Sequence, residues 1–211
     1  MKFAGGFKLM TGTVAAMVLI AVQAAPPPVA PDELDLAALE KGADAPTVAD
    51  GVAVFAPEAE ASQSLLSREN YDLTRGCRIA LEFMVDGDQN NPYARIIELN
   101  GFSLQFHNQQ GSLIKVYAPQ ADGKHAQVVV RCPVKPGEWR QAEIFFDAES
   151  GEIGISIDGA APRTVAARLL PATAKAKLVL GAPKAASSNR GFTGKIRGVK
   201  ISTAATNQSA N

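Results

Sequence analysis

The sequence predicts an all-β fold, a sandwich of two antiparallel sheets, from three observations. Apolar residues recur at every second position in four segments. Dipeptides containing glycine separate these segments. Between residues 51 and 203 no helical period lasts beyond two turns. Successive side chains leave a strand on opposite sides, so a period of two with one apolar face is what a half-buried antiparallel strand requires.

Arg78 to Val85 places Ile79, Leu81, Phe83 and Val85 on one face and Arg78, Ala80, Glu82 and Met84 on the other. Phe102, Leu104 and Phe106 alternate with Ser103, Gln105 and His107, the second set reading as a polar outer face. Leu113–Val116 is a further short strand, and Tyr117 after it is a rim aromatic or a sheet residue. Ala142, Ile144 and Phe146 alternate with Gln141, Glu143 and Phe145, and Ile153, Ile155 and Ile157 with Gly154, Ser156 and Asp158. Asp86-Gly87, Asn100-Gly101, Ser150-Gly151 and Asp158-Gly159 supply the positive φ that tight turns need. Roughly ten short strands follow from this spacing.

The first residues read as an address. Lys2 and Lys8 precede an apolar run of 14 residues, Leu9 to Val22, which is shorter than a bilayer span. Val22-Gln23-Ala24 then offers short residues for cleavage before Ala25, so residues 1–24 have the three-part form of a secretory signal, with an uncleaved anchor as the rival reading. Export to the periplasm or the medium, with no membrane span after cleavage, is the expectation. Residues 25–50 form a Pro/Ala-rich linker, because the prolines of Ala25-Pro-Pro-Pro-Val-Ala-Pro31 lack amide donors and fix φ. Asp32 to Lys41 fits a short helix with Asp32 as its cap and Gly42 as its stop. The sandwich occupies residues 51–203, and a small polar tail, 204–211, closes the chain.

Composition narrows the function. Hydrophobic residues make up 46% and charged residues 20%, enough for a packed core. Lys+Arg and Asp+Glu both number 21, and loss of Lys2 and Lys8 with the signal leaves 19 basic residues against 21 acidic, which argues against nucleic acid as a partner. Two His and two Cys exclude zinc fingers and dense disulfide scaffolds. Cys77 precedes the strand that begins at Arg78, and Cys132 follows Val128–Arg131. If those strands run antiparallel, their ends meet, and in an oxidising compartment a Cys77–Cys132 disulfide is expected.

Three longer segments carry a resemblance. Trp139-Arg-Gln-Ala-Glu-Ile-Phe-Phe-Asp147, Gly151-Glu-Ile-Gly-Ile-Ser-Ile-Asp-Gly159 and Gly191-Phe-Thr-Gly-Lys-Ile-Arg-Gly-Val-Lys-Ile201 resemble, in order and spacing, strands of the concanavalin A-like lectin/glucanase superfamily, in particular its laminin-G-like domains; Leu178-Val-Leu-Gly181 fits the strand before the last. The resemblance implies a jelly roll whose relatives bind glycans, proteins or calcium, and of which some hydrolyse polysaccharides. One departure stands out: Arg197 and Gly198 occupy the place of an acidic pair in the closing strand.

Neither acidic string of the glucanase branch, E-x-D-x-x-E or E-x-D-x-D-x-E, occurs. The nearest match, Glu82 to Asp86, has Met84 in the middle position and spaces its ends about 13 Å apart along an extended strand. Retention of configuration wants carboxyl groups about 5–5.5 Å apart. Glu149 and Glu152 read as solvated turn residues, His125 as a loop residue and Trp139 as a core or strand-edge anchor. No nucleophile elbow, P-loop or zinc-protease motif is present. An enzyme is therefore not expected, and a divergent glycoside hydrolase is the weakest reading.

The loop Asp86-Gly-Asp-Gln-Asn-Asn-Pro-Tyr93 is the expected contact surface. Asp86, Asp88, Asn90 and Asn91 offer oxygen-bearing side chains and Tyr93 a ring, which suits sugar hydroxyls or, at Asp86, Asp88 and Asn90, calcium. A polar strand connection is the plainer reading of the same residues. The sequence thus points to an exported non-catalytic binding module for a glycan or another extracytoplasmic ligand. A structural or adhesive module that meets a protein partner is the alternative.

Overall fold

The computed structural model describes residues 32–41, 45–56, 63–71, 76–87, 93–107, 113–120, 122–167, 176–181 and 191–203. Its strands are β1 (Asp32–Glu33), β2 (Glu40–Lys41), β3 (Thr47–Ala49), β4 (Val52–Phe55), β5 (Leu65–Tyr71), β6 (Gly76–Met84), β7 (Arg95–Leu99), β8 (Phe102–Phe106), β9 (Leu113–Pro119), β10 (His125–Arg131), β11 (Arg140–Asp147), β12 (Glu152–Ile157), β13 (Arg163–Ala166), β14 (Ala176–Leu180) and β15 (Gly194–Thr203). The four alternating segments are β6, β8, β11 and β12. The segments that carry the family resemblance are β11, β12, β14 and β15.

Two antiparallel sheets form a sandwich. Among the described residues one sheet has eight strands, in the order β13-β12-β11-β6-β15-β4-β3, with β1 also paired to β15. The other has seven, in the order β10-β9-β8-β7-β14-β5-β2. The two-residue loops Asp50-Gly51 and Asn100-Gly101 join neighbouring strands with φ of 51° and 73°, and 48° and 84°. Both central residues positive is the condition of the hairpin turn whose twist matches that of the strands it connects.

Alternation decides which side chains meet. Ile79, Leu81 and Phe83 of β6 stand beside Ile144, Ala142 and Arg140 of β11, and Phe83 and Ile79 stand beside Ile196 and Ile201 of β15. Leu104 and Phe106 of β8 lie beside Val116 and Ile114 of β9 on the facing sheet. Four rings tie the two layers: Phe106 packs edge-on to Phe83 (6.3 Å) and stacks with Phe192 (6.5 Å), which meets Phe55 edge-on (5.7 Å).

Asp32–Lys41 is not the short helix its sequence allows. A single 3-10 turn, Leu36–Ala38, is capped by Asp35, whose carboxylate accepts from the Ala37 amide (3.0 Å), and the flanking residues are extended. A two-turn helix gains few hydrogen bonds for its nucleation cost. Here β1 docks on β15 and β2 on β5, while Leu36 and Leu39 reach the core.

The expected disulfide is corrected by the topology. Cys77 and Cys132 are both free and buried. The strands they flank lie in different sheets, and the cysteines sit toward opposite ends of β11. Cys77 is the register partner of Phe146, whereas Cys132 interacts with the Arg140 side chain. Six residue steps along β11 separate these anchors, about 20 Å at strand rise, and a disulfide needs Cα atoms within about 7 Å. Burial pushes the Cys77 thiol up to about 12 against a backbone hydrogen bond at Phe146 that lowers it. Burial also raises Cys132, opposed by the Arg140 charge. The thiolate is the reactive form, so both cysteines should stay unmodified by maleimide in the native protein and react fully once it is unfolded without reductant. A mass spectrum two hydrogens short, with no maleimide uptake after unfolding, would refute this.

Candidate functional site

The polar side of the seven-stranded sheet carries an arrangement that the alternation of β8 foreshadows. Register places Ser103 between Glu98 of β7 and Tyr117 of β9, and Gln105 between Arg95 of β7 and Lys115 of β9. These residues therefore share the face turned away from the core, and His107 continues the row. Gln127 of β10 lies beside Tyr117 and Val129 beside Lys115. A shift of register between Arg95 and Ile97 lets Ile96 and Ile97 both be buried while Arg95 and Glu98 keep the outer face.

An outer face of this kind is normally wet, yet all five residues of β8 are buried. Ser103 is 0% exposed, Gln105 4% and Lys115 7%. Arg95 donates to Glu98 through a terminal guanidinium nitrogen. The Lys115 ammonium lies 5.2 Å from the Tyr93 ring centre and 5.5 Å from that of Tyr117, where ring quadrupoles replace part of its hydration. His125, which opens β10 rather than lying in a loop, packs on the Tyr117 ring at 4.7 Å.

Four polar atoms of this face, Arg95 Nε, Ser103 Oγ, Gln105 Oε1 and His107 Nδ1, are buried with no hydrogen-bond partner among the described residues. Leaving a buried polar group unmatched costs about 1–3 kcal/mol, and each such group in a native fold calls for an explanation. Arg140 Nε has the same status among the described residues but lies on the other sheet. The four in one row make a desolvated patch of donors and acceptors, flanked by Tyr93 and Tyr117.

The structure divides the predicted loop. Tyr93 reaches Lys115 on the face just described and is 47% exposed. Asp86 remains with the other sheet, 3.8 Å from the Lys195 ammonium of β15. Asp88, Asn90 and Asn91 lie outside the described residues. Among the described residues no three His, Cys, Asp or Glu side chains stand close enough to share a metal ion, and Asp86, the described member of the suggested calcium set, faces a lysine. Sequence reasoning did not single out Arg95, Ser103, Gln105 and Lys115. The polar alternation of Ser103 and Gln105 was visible, but not that β8 is central and buried along its whole length.

The outer face of the eight-stranded sheet is a ladder of matched charges. Glu82 accepts from Arg197 Nε (2.7 Å) and its terminal nitrogen (2.6 Å), and that guanidinium lies 4.0 Å over the half-buried Trp139 ring. Arg78 pairs with Glu143 and sits over Phe145. Lys200 faces Glu33. Glu82, the nearest thing to a glucanase acid, thus has its carboxylate tied to a guanidinium. The Arg197-Gly198 departure has a structural reason: the β15–β6 register shifts between Arg197 and Lys200, and Gly198 holds φ of 58° in that bulge.

No helix among the described residues is long and apolar enough to cross a membrane. No protein-family model matches the chain, and no curated protein sequence matches it. Solved structures do. The binding domain of botulinum neurotoxin DC in complex with rat synaptotagmin II superposes with a TM-score of 0.56 at 12% identity, over 82% of this chain and 43% of that one. The botulinum neurotoxin serotype D binding domain gives 0.54 at 12%, over 78% and 42%. The DC binding domain in complex with SialylT gives 0.50 at 14%, over 66% and 36%. The chain spans less than half the length of these proteins, and at such identities the likeness is one of fold: a two-sheet β-sandwich shared with receptor-binding domains.

Proposed function

We propose that this chain is an exported, non-catalytic binding module of the concanavalin A-like, laminin-G-like kind, which holds a glycan against the outer face of its seven-stranded sheet. The observation that carries this reading is the row of buried, unmatched polar atoms on β7 and β8 between two tyrosines. A sugar ring offers hydroxyls for such a row and a flat face for an aromatic ring. Two of the similar structures hold a partner, rat synaptotagmin II in one and SialylT in the other, which supports a binding role for the shape. The basic and apolar start of the sequence supports export.

Tyr117→Ala removes the ring that backs both Lys115 and His125. It should reduce retention of the protein on an immobilised polysaccharide panel by about fivefold or more, since stacking and the cation contact together are worth roughly 1–3 kcal/mol. Unchanged retention would remove this face from consideration. A protein partner is the second reading, favoured by β13, an edge strand with four exposed residues including Val165. It predicts a cross-linked partner and no polysaccharide retention.

A further inference from the structure

An edge strand turns a row of unpaired amides and carbonyls outward, ready to pair with another chain. Among the described residues the two sheets end in β3 and β13 and in β2 and β10. β2 and β3 have two and three residues, too short to template a partner, and β5, where it runs past β2, bulges between Leu66 and Asn70. β10 is longer, but it is guarded. The Gln120 amide donates to the Lys124 carbonyl, and alternation along the ladder from there turns Val129 away from β9. Arg163 reaches across from β13 and donates to that outward Val129 carbonyl (3.5 Å). β13 has no such guard. We propose that β13 takes an extended acidic segment of a partner protein as an added strand, which rests on the protein-partner reading above and names that partner's chemistry.

Hydrogen-bond alternation fixes which groups are open. The Ala167 amide donates to the Gly151 carbonyl (2.7 Å), so that pair exchanges bonds, and further along the register so do Val165 with Ile153 and Arg163 with Ile155. Thr164 and Ala166 therefore turn both backbone groups away from β12. All four residues of β13 are exposed, its register with β12 is unbroken, and Val165 is one of two large apolar side chains left exposed among the described residues. Charge decides the occupant. Arg163 and Val165 share the face of Ile153 and Ile155, at the lip where β13 approaches β10. Neither Arg163 nor Arg131, two residues beyond Val129, has a carboxylate partner among the described residues. Glu152, beside Ala166, lies on the opposite face. A second copy paired through β13 would bring two guanidiniums from each chain to one lip and no acid to meet them. An acidic segment neutralises the pair already there. The pleat sets its pattern: a carboxylate beside Arg163 and, two residues away, an apolar β-branched side chain beside Val165.

The test is a library of random peptides, about ten residues long, displayed on phage and selected against the full chain. Enriched peptides are then made synthetically and measured by fluorescence anisotropy. The expected result is enrichment of Asp or Glu two positions from Val, Ile or Thr, with affinity falling about threefold or more between about 0.05 and 0.5 M salt, because the ion pair is exposed. Thr164→Pro removes an outward amide and sets a ring in the path of the added strand. It should weaken these peptides by about tenfold or more and move the melting temperature by less than about 2 °C, since no bond to β12 is lost. Arg163→Glu, which leaves the backbone untouched, should weaken them by a similar factor and restore binding to versions with Lys in place of the acid, which a packing fault would not do. Peptides that bind Thr164→Pro as tightly as the parent overturn strand addition and leave a protein partner standing. Peptides without an acid, indifferent to Arg163→Glu, overturn the proposed chemistry. A dimer in sedimentation equilibrium that Thr164→Pro dissolves assigns the edge to a second copy and overturns the proposal. So does a failure to enrich any peptide, and that failure together with no cross-linked partner overturns the reading beneath it.

Discussion

Phe106→Ala is expected to cost about 3–5 kcal/mol of folding stability, measured by urea unfolding at neutral pH. Phe106 is fully buried and supplies the contact by which the seven-stranded sheet meets Phe83 and Phe192 of the opposite layer. Truncation removes the ring's transfer free energy and leaves a cavity that strands held by hydrogen bonds on both sides close only in part. Domains of this size are typically stable by about 5–15 kcal/mol, so the variant would sit near its unfolding threshold. Phe106→Leu, which retains most of the volume, should lose roughly half as much or less. Phe106 also lies between Gln105 and His107 on β8, so the alanine variant should lose glycan retention together with stability. A loss below about 1 kcal/mol for Phe106→Ala would mean that the two layers do not meet through these rings.

Gly194→Ala is expected to be comparably severe. Gly194 opens β15 at φ of 138°, and a Cβ there would stand 2.0 Å from the Met84 carbonyl oxygen and 3.0 Å from the Val85 Cα. Both obstacles are backbone, so no rotamer change relieves them. The start of β15 would have to leave β6, at the point where Lys195 partners Met84. Backbone strain alone accounts for about 1–3 kcal/mol, and the lost pairing adds to it. Gly198→Ala is the informative comparison. Gly198 also has positive φ, 58°, but no atom stands within 4 Å of its Cβ position, so only the left-handed penalty of about 1–2 kcal/mol applies. Equal melting temperatures for the two variants would contradict the close approach at Gly194.

Four of the fifteen described strands were readable from side-chain alternation alone. β6, β8, β11 and β12 follow from a period of two, and Asn100-Gly101 announces its hairpin because few other dipeptides tolerate two positive φ values in succession. What alternation does not encode is which strands become neighbours. The expected Cys77–Cys132 bridge failed for that reason: the local signals at both cysteines are sound, but β6 and β10 belong to different sheets. The site divides in the same way. Tyr93 is aromatic and stands next to a polar loop, so it could be picked out, and the structure places it on the face that carries the unmatched atoms. Ser103 and Gln105 look like ordinary solvent-facing residues until β8 is seen to be a central strand with both sides covered. Their neighbours Glu98, Arg95, Lys115 and Tyr117 come from β7 and β9, which local sequence does not announce.

The position of β15 governs when the chain can fold. This last described strand lies between β6 and the β4–β1 side of its sheet, so β1 and β4, from the first third of the sequence, wait for the final ten described residues before their hydrogen bonds to it are made. Loops of such length close slowly, and order at one end gives little early reward for order at the other. A chain emerging from synthesis therefore leaves β1, β4 and one edge of β6 without their β15 partner until almost all of it is through. Those open strand edges make the chain dependent on prompt completion to avoid pairing with its neighbours.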